Sequence, residues 1–587
     1  MIGAIGFPLT RGRAENLMAR VFSIFVSLLF AAAASAQVAP VSRAPAIAPA
    51  QTIHARNGVV VAQESRAARI GVEILDRGGN AVDAAVAVGF ALAVTYPRAG
   101  NSGGGGFMMI HLAKSGRDIA IDYRETAPAG ANAAMFLDAE GNPDPAKSRD
   151  SALSVGVPGT IAGLALAHEK YGSGKFTLAE LMAPAIELAE KGFMVEDDLA
   201  DSLPQARERL SRWPATTAIF FNGDRPVREG DRLIQLDLAD TLRSIAKDGP
   251  KAFYQGRTAA QIASAVAKAG GIMSKDDLAD YRAVEREVVR GTYRGYDIVT
   301  VPPPSSGGVH LVEMLNILEG FDLAKLSHEQ SLHVMIEAMK RAYADRATFM
   351  GDPDAVKMPV AGLTSKKYAA SLRAQIGDRA TPSAEIRSGK AAEFEGRNTT
   401  HFSIIDRDGN AVANTYTLNF SFGLGLVAEG TGVLLNNELD DFTSKPGTSN
   451  AYGLIGYNAN LPGPGRRPLS SMTPTIVLKD GKPFLVTGSP GGSRIITAVL
   501  QIIVNAIDFH MPIGQAVSAP RLHHQWQPDE VYAEPGFAPD VLDALEKRGY
   551  KIVPTPSYSS TNSIEVTPDG YIGAADRRTR GSLAAGY

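Results

Sequence analysis

From Arg56 onward the chain alternates between short apolar runs and stretches with helical spacing. Gly58-Val-Val-Val-Ala62 is an unbroken apolar run of strand length, and Glu64 to Arg77 repeats its apolar residues at helical intervals until Gly78-Gly79 stops it. Asn80 stands where a cap is needed for a second helix, Ala81 to Val94, which ends before Pro97. That helix is hydrophobic nearly all round, so it is predicted to lie in the core; Asp83 and its limited length argue against a membrane span. Between Phe107 and Arg124 two strand-like runs meet at Ser115-Gly116, and Leu178 to Lys191 and Ser331 to Met350 predict long amphipathic helices.

After about residue 398 the period shortens to two. His401 to Asp406 and Ala411 to Leu418 flank Asp408-Gly409, a two-residue hairpin signal. Thr475 to Leu478 and Pro483 to Thr487 flank Asp480-Gly481 in the same way, and Ser563 to Thr567 and Tyr571 to Ala575 flank Asp569-Gly570. Three hairpins predict an antiparallel sheet, with helices such as Ile495 to Asp508 packed on it. There is no repeating βαβ unit and no solenoid-type repeat, so the expected class is α+β with layered sheets.

Composition narrows this picture. The 587 residues are 45% hydrophobic and 21% charged with a formal net charge of −3, as expected of a folded globular protein with a large core. No basic stripe marks a nucleic-acid partner. At the start, Arg11, Arg13 and Arg20 precede the apolar run Val21 to Phe30 and the small residues Ala33-Ala34-Ser35-Ala36, the three-part order of an export signal cleaved after Ala36. Met18 is an alternative start, and the Pro- and Ala-rich residues Val38 to Ala50 read as a flexible leader. There is no cysteine, which excludes disulfides, a thiol nucleophile and a thiolate-bound metal.

Four clusters could carry chemistry: Asn398-Thr399-Thr400-His401 with Thr415-Tyr416-Thr417-Leu418-Asn419; Asn436 to Phe442, with Glu438, Asp440 and Asp441; Arg467-Pro468-Leu469-Ser470-Ser471-Met472; and Gly488-Ser489-Pro490-Gly491-Gly492-Ser493-Arg494. Each has an ordinary reading alone. Threonine is common at strand starts, Asp440-Asp441 and Ser470-Ser471 suit turns, and Gly491-Gly492 suits a tight turn, though paired glycines also expose backbone N–H groups to an anion. Gly103 to Gly106 lacks the Gly-Lys-Ser/Thr ending of a phosphate loop, and Ser489 does not sit in a Gly-x-Ser-x-Gly elbow. His523-His524 has no second metal-ligand cluster to support it and reads as structural.

In order and spacing the clusters closely resemble the γ-glutamyltransferase family of N-terminal-nucleophile hydrolases. So do Ser102-Gly103-Gly104-Gly105-Gly106-Phe107, Tyr123-Arg124-Glu125-Thr126-Ala127-Pro128 and the closing Leu583 to Tyr587, and the resemblance runs from about Gly58 to Tyr587. It implies a four-layer αββα sandwich and a precursor that cuts itself between Asn398 and Thr399. The expected pieces are a signal peptide (1–36), a large subunit (37–398) and a small subunit (399–587), forming one heterodimeric core. Thr399 would be the nucleophile and its freed α-amino group the base. Thr417 would orient Thr399, and Gly491 and Gly492 would form the oxyanion hole. Arg124, Ser470 and Ser471 would bind a substrate carboxylate, and Asn419, Glu438 and Asp441 its ammonium.

The resemblance further implies acyl transfer from glutathione or related γ-glutamyl compounds to water, amino acids or peptides, without metal or organic cofactor. It places the enzyme in the periplasm or outside the cell, with no membrane anchor after signal removal. Pro446 to Tyr457, with Tyr452, resembles a lid loop found in some members. The rival readings are a cephalosporin (glutaryl) acylase of the same superfamily and a non-catalytic exported binding protein.

Overall fold

The structure, a computed structural model of the chain, describes residues 47–386, 399–557 and 559–587. The export signal, most of the leader and Asn398 lie outside the described residues. Fourteen strands matter here: β1 (Gln51–Ala55), β2 (Val59–Ala62), β3 (Gly105–Leu112), β4 (Arg117–Asp122), β5 (Val284–Arg286), β6 (Val289–Tyr293), β7 (Tyr296–Thr300), β8 (Thr400–Ile405), β9 (Ala411–Thr417), β10 (Thr475–Lys479), β11 (Lys482–Thr487), β12 (Asn562–Thr567), β13 (Gly570–Ala575) and β14 (Leu583–Gly586). They form two seven-stranded sheets, ordered β14-β2-β8-β9-β3-β4-β5 and β1-β13-β12-β11-β10-β7-β6. Every pairing in both is antiparallel.

Seven helices cover them: α1 (Ser65–Asp76), α2 (Ala81–Thr95), α3 (Thr160–Tyr171), α4 (Leu178–Lys191), α5 (Gly307–Leu318), α6 (His328–Phe349) and α7 (Ile495–Ile507). Successive strand residues point to opposite faces, and the core divides accordingly. Val59, Val61, Phe107, Met109 and Ala413 of the first sheet meet Val299, Ile476, Val486 and Ile564 of the second. The intervening residues Val60, Met108, Ile110, Phe402 and Val412 pack outward with α1 to α4. On the far side, Val289, Ile298, Val477 and Leu485 pack with α5 to α7. The order of layers is α-β-β-α, as the resemblance implied.

Most of the elements read from the sequence are present. Asn80 closes a capping box with Asp83 at the start of α2, which is buried along its length and touches α1, α3, α4 and β9. Its all-round apolarity follows from having neighbours on every side. No described helix is long and apolar enough to cross a membrane. The turn at Asp480-Gly481 is the two-residue connection predicted, both residues with positive φ.

Two expectations need correction. The β8–β9 connection is the five residues 406–410, not a two-residue turn at Asp408-Gly409. The reason is tertiary: the Asp406 carboxylate accepts from the N–H groups of Asp408 (2.9 Å) and Asn410 (3.0 Å) while also accepting from Ala81 at the start of α2 (2.9 Å). The third hairpin turns at Pro568-Asp569, with Gly570 already paired to Thr567. Strand β1 went unread because its exposure alternates on a sheet edge without an apolar run.

Candidate active site

Thr399 immediately precedes β8, and the pairing of Thr400 with Tyr416 sets it across from Thr417 at the end of β9. Alternation sends Thr399, His401 and Ser403 to the face that meets the second sheet, together with Thr415 and Thr417. Thr399 is 6% exposed. The Thr417 hydroxyl accepts from the Asn419 N–H at 3.0 Å, and the Thr417 carbonyl accepts from the Asn101 amide at 2.8 Å. The glycine run Gly103 to Gly106 finds its purpose here. A side chain at Gly104 would stand 2.0 Å from the Thr417 carbonyl oxygen, so the two backbones can approach this closely only without one. His401 is hydrogen-bonded to Thr415 (2.8 Å) and Ser403 (3.0 Å), and burial pushes its pKa down to about 3. It is neutral at working pH and fully engaged, which leaves it unsuited as a base for Thr399.

Gly491 and Gly492, both with positive φ, form the turn that leads through Ser493 and Arg494 into α7. Their N–H groups thus lie at the positive end of a thirteen-residue helix. Residues 446–457 form a short hairpin, Thr448–Ser449 paired with Ile455–Gly456, and its tip carries Tyr452 into the pocket. The Tyr452 hydroxyl donates to the Asn419 carbonyl at 2.9 Å and also contacts the Asn419 side chain, while its ring lies directly over Gly492.

Arg124 is fully buried. Its Nη1 donates to Glu438, its Nη2 to Asp441 Oδ2 (2.6 Å) and its Nε to the Pro468 carbonyl (3.0 Å). Burial disfavours the charge, but Glu438, Asp441 and Glu125 outweigh it and hold the guanidinium protonated. The acids pay for their burial: desolvation raises Glu438 well above the ordinary carboxylate range and raises Asp441 as well, against the pull of Arg124. The Asn419 amide donates to the Asn437 carbonyl at 2.9 Å. Ser470 and Ser471 complete the wall; Ser470 Oγ accepts from the Met472 N–H and Ser471 Oγ from Arg346 Nη2 (3.1 Å).

A small cavity joins these residues. Thr399, Thr417, Arg124, Asn419, Glu438, Asp441, Ser470, Ser471 and Gly492 line it with Tyr452, and Leu454, Met472 and Ile495 add apolar wall. Gly491 precedes Gly492 in the turn but is not among the residues that line the cavity. The structure therefore brings together the other residues that the resemblance singled out, Asn398 excepted as outside the described residues. His523 and His524 lie elsewhere, bonded to Thr497 (2.9 Å) and Asp529 (3.1 Å).

The sequence motifs assign no role to three buried groups, although Arg467 and Glu125 lie within them. Arg467 holds the Arg124 backbone by donating to its carbonyl oxygen. Glu125 presents a carboxyl without a hydrogen-bond partner among the described residues, and desolvation raises its pKa to about 8. Arg346, on α6, braces the serine pair. Nothing local sets Arg346 apart from Lys340 and Arg341, which the same helix also buries.

A threonine at the head of an inner strand of an αββα sandwich, facing the seam between the sheets, is the arrangement of an N-terminal-nucleophile hydrolase. The family model for gamma-glutamyltranspeptidase matches residues 67–586. The chain is 52% identical to the glutathione hydrolase proenzyme of Escherichia coli K12, over 95% of this chain and 97% of that protein. Among solved structures, a cephalosporin acylase from Bacillus halodurans superposes with a TM-score of 0.80 at 28% identity, covering 94% of this chain and 99% of the other. A gamma-glutamyltranspeptidase chain from Helicobacter pylori is 46% identical with a TM-score of 0.54, covering 57% of this chain and 96% of its own length. The chain belongs to the γ-glutamyltranspeptidase family.

Proposed function

We propose that this protein is an exported, self-processing glutathione hydrolase that transfers γ-glutamyl groups to water or to amino acids and peptides through an ester on Thr399. In the precursor the Thr399 hydroxyl attacks the Asn398 carbonyl, the peptide bond becomes an ester, and water hydrolyses it. This leaves a carboxylate on Asn398 and a free amine on Thr399. That amine, with an ordinary pKa of roughly 7.7 to 8.0, then serves as base for its own hydroxyl. No histidine is needed, which agrees with the engaged, neutral state of His401.

In turnover Thr399 Oγ attacks the γ-amide carbonyl, its proton passes by way of the amine to the leaving nitrogen, and an acceptor opens the ester. Thr417 orients the hydroxyl. The N–H groups of Gly491 and Gly492 take the developing oxyanion charge, a role in which one donor is typically worth about 10²–10³ in rate. The observation that carries the reading is the cluster Arg124–Glu438–Asp441 beside Thr399. A γ-glutamyl group brings a carboxylate and an ammonium on one carbon, so it can exchange partners with this cluster, carboxylate to Arg124 and the serines, ammonium to Glu438, Asp441 and Asn419. Every charge then stays paired in a desolvated site.

A glutaryl group has no ammonium and would leave Glu438 and Asp441 without a cation from the substrate, which argues against the acylase reading. The test joins two measurements. Thr399→Ala is expected to run as one intact polypeptide without activity, and the unaltered enzyme to cleave γ-glutamyl anilide far faster than glutaryl anilide. A processed, active Thr399→Ala variant, or preference for the glutaryl compound, would overturn the proposal.

A further inference from the structure

We propose that Arg346 is a positioning residue for the substrate carboxylate: it holds the Ser471 hydroxyl so that its hydrogen is offered to the pocket. It also places a second positive charge behind that wall. The inference rests on the γ-glutamyl reading of the pocket.

The geometry is specific. Arg346 is 4% exposed and comes from α6, a helix whose other buried residues mostly serve packing. Its Nη2 donates to Ser471 Oγ at 3.1 Å and its Nε to Ser306 Oγ at 2.9 Å. Ser306 in turn donates to the Ser470 carbonyl from both its hydroxyl (2.8 Å) and its N–H (2.9 Å). One guanidinium thus braces both serines of the pair. Because a guanidinium can only donate, Ser471 Oγ must accept, and its own hydrogen is left for another acceptor. Among the described residues that hydroxyl donates to no protein group, while Ser471 lines the cavity with Arg124. A carboxylate is the acceptor such a donor pair suits.

The charge points the same way. Arg124 has Glu438 and Asp441 in direct contact. Arg346 makes no ion pair among the described residues; Asp441 and Tyr343 are close enough to favour its charge and Arg124 to disfavour it. Burial pushes its pKa down to about 10, so it remains a cation at neutral pH. A buried cation without a contacting carboxylate is costly, and an anionic ligand at Ser471 offsets that cost.

A purely structural strut would make a different prediction, and kinetics separate the two. Mature Arg346→Gln and Arg346→Lys would be compared with the unaltered enzyme on γ-glutamyl anilide and on 4-aminobutyryl anilide, which keeps the chain and amine but lacks the carboxylate. Losing a hydrogen bond to a charged group is expected to raise KM for γ-glutamyl anilide about 10- to 100-fold in Arg346→Gln, with a smaller change in kcat. Lysine should recover part of the loss, and turnover of the 4-aminobutyryl compound should hardly change. Equal loss on both substrates, an unchanged KM, or failure of both variants to mature into two polypeptides would overturn the proposal. Absence of γ-glutamyl turnover by the unaltered enzyme is a separate result, which would sink the reading of the pocket itself.

Discussion

Asp440 and Asp441 are neighbours in the chain and face opposite surroundings. Asp441 meets Arg124 in the pocket, whereas Asp440 accepts from Ser148 Oγ at 2.6 Å and from the Ala451 N–H at 3.1 Å behind it, and burial raises its pKa to about 6. Nothing in the local sequence separates the two, because the difference arises from which distant segments each one meets. Gly492 shows the same dependence at closer range. Its positive φ disfavours a side chain, and a Cβ there would sit 2.5 Å from the Tyr452 ring. Gly492→Ala is therefore expected to push Tyr452 aside and shift the N–H proposed as an oxyanion donor, lowering kcat about 10²-fold while the protein still matures. Steady-state kinetics on γ-glutamyl anilide would check this, and an unchanged kcat would remove Gly492 from the oxyanion site.

Among elements, α5 and α6 hold a cluster of acids that takes no part in the pocket. His310 Nδ1 and Glu313 Oε2 of α5 are 2.7 Å apart, and Glu313 lies against Asp345 of α6, which accepts from the Tyr368 hydroxyl at 2.7 Å. Desolvation raises Glu313 to about 8, and desolvation and Glu313 raise Asp345 to about 7, while burial keeps His310 neutral. Both acids hold protons in the folded chain that the unfolded chain has already released. Stability therefore falls as pH rises from the ordinary carboxylate range through these raised values. Thermal unfolding followed from about pH 6 to 9 should show this decline, and Glu313→Gln, which keeps the shape without the titration, should flatten it by a few degrees. An equally steep decline in the variant would assign the pH effect elsewhere.

At the scale of the molecule, the bond expected to break at 398–399 divides both sheets between two polypeptides. In the first sheet β2 lies between β14 and β8, and β9 is paired with β3; in the second, β1 is paired with β13 and β7 with β10. Each of these contacts crosses the division, so neither piece carries a complete sheet or a closed core. Processed enzyme is expected to elute as one species at the size of the heterodimer, and to separate into two polypeptides only when denatured. Residues 37–398 expressed without the small subunit should fail to give a cooperative thermal transition. A stable, separately folded large piece would contradict this account of the core.

Local patterning already determined a good part of the fold. The capping box at Asn80, the buried all-apolar α2, α4 and the turn at Asp480-Gly481 all depend on interactions within a few residues, which is why the chain states them openly. The family resemblance carried by the motifs, not local patterning, singled out Thr399, Thr417, Arg124 and the glycine pair. Tertiary structure decided what depends on distant partners: the five-residue β8–β9 connection drawn open by Ala81, the edge strand β1, the division of labour between Asp440 and Asp441, and the place of Arg346 behind Ser471. Spacing along a chain can set a period or a cap. Which charge is buried, and against what, is set when segments hundreds of residues apart close on one another and exclude water.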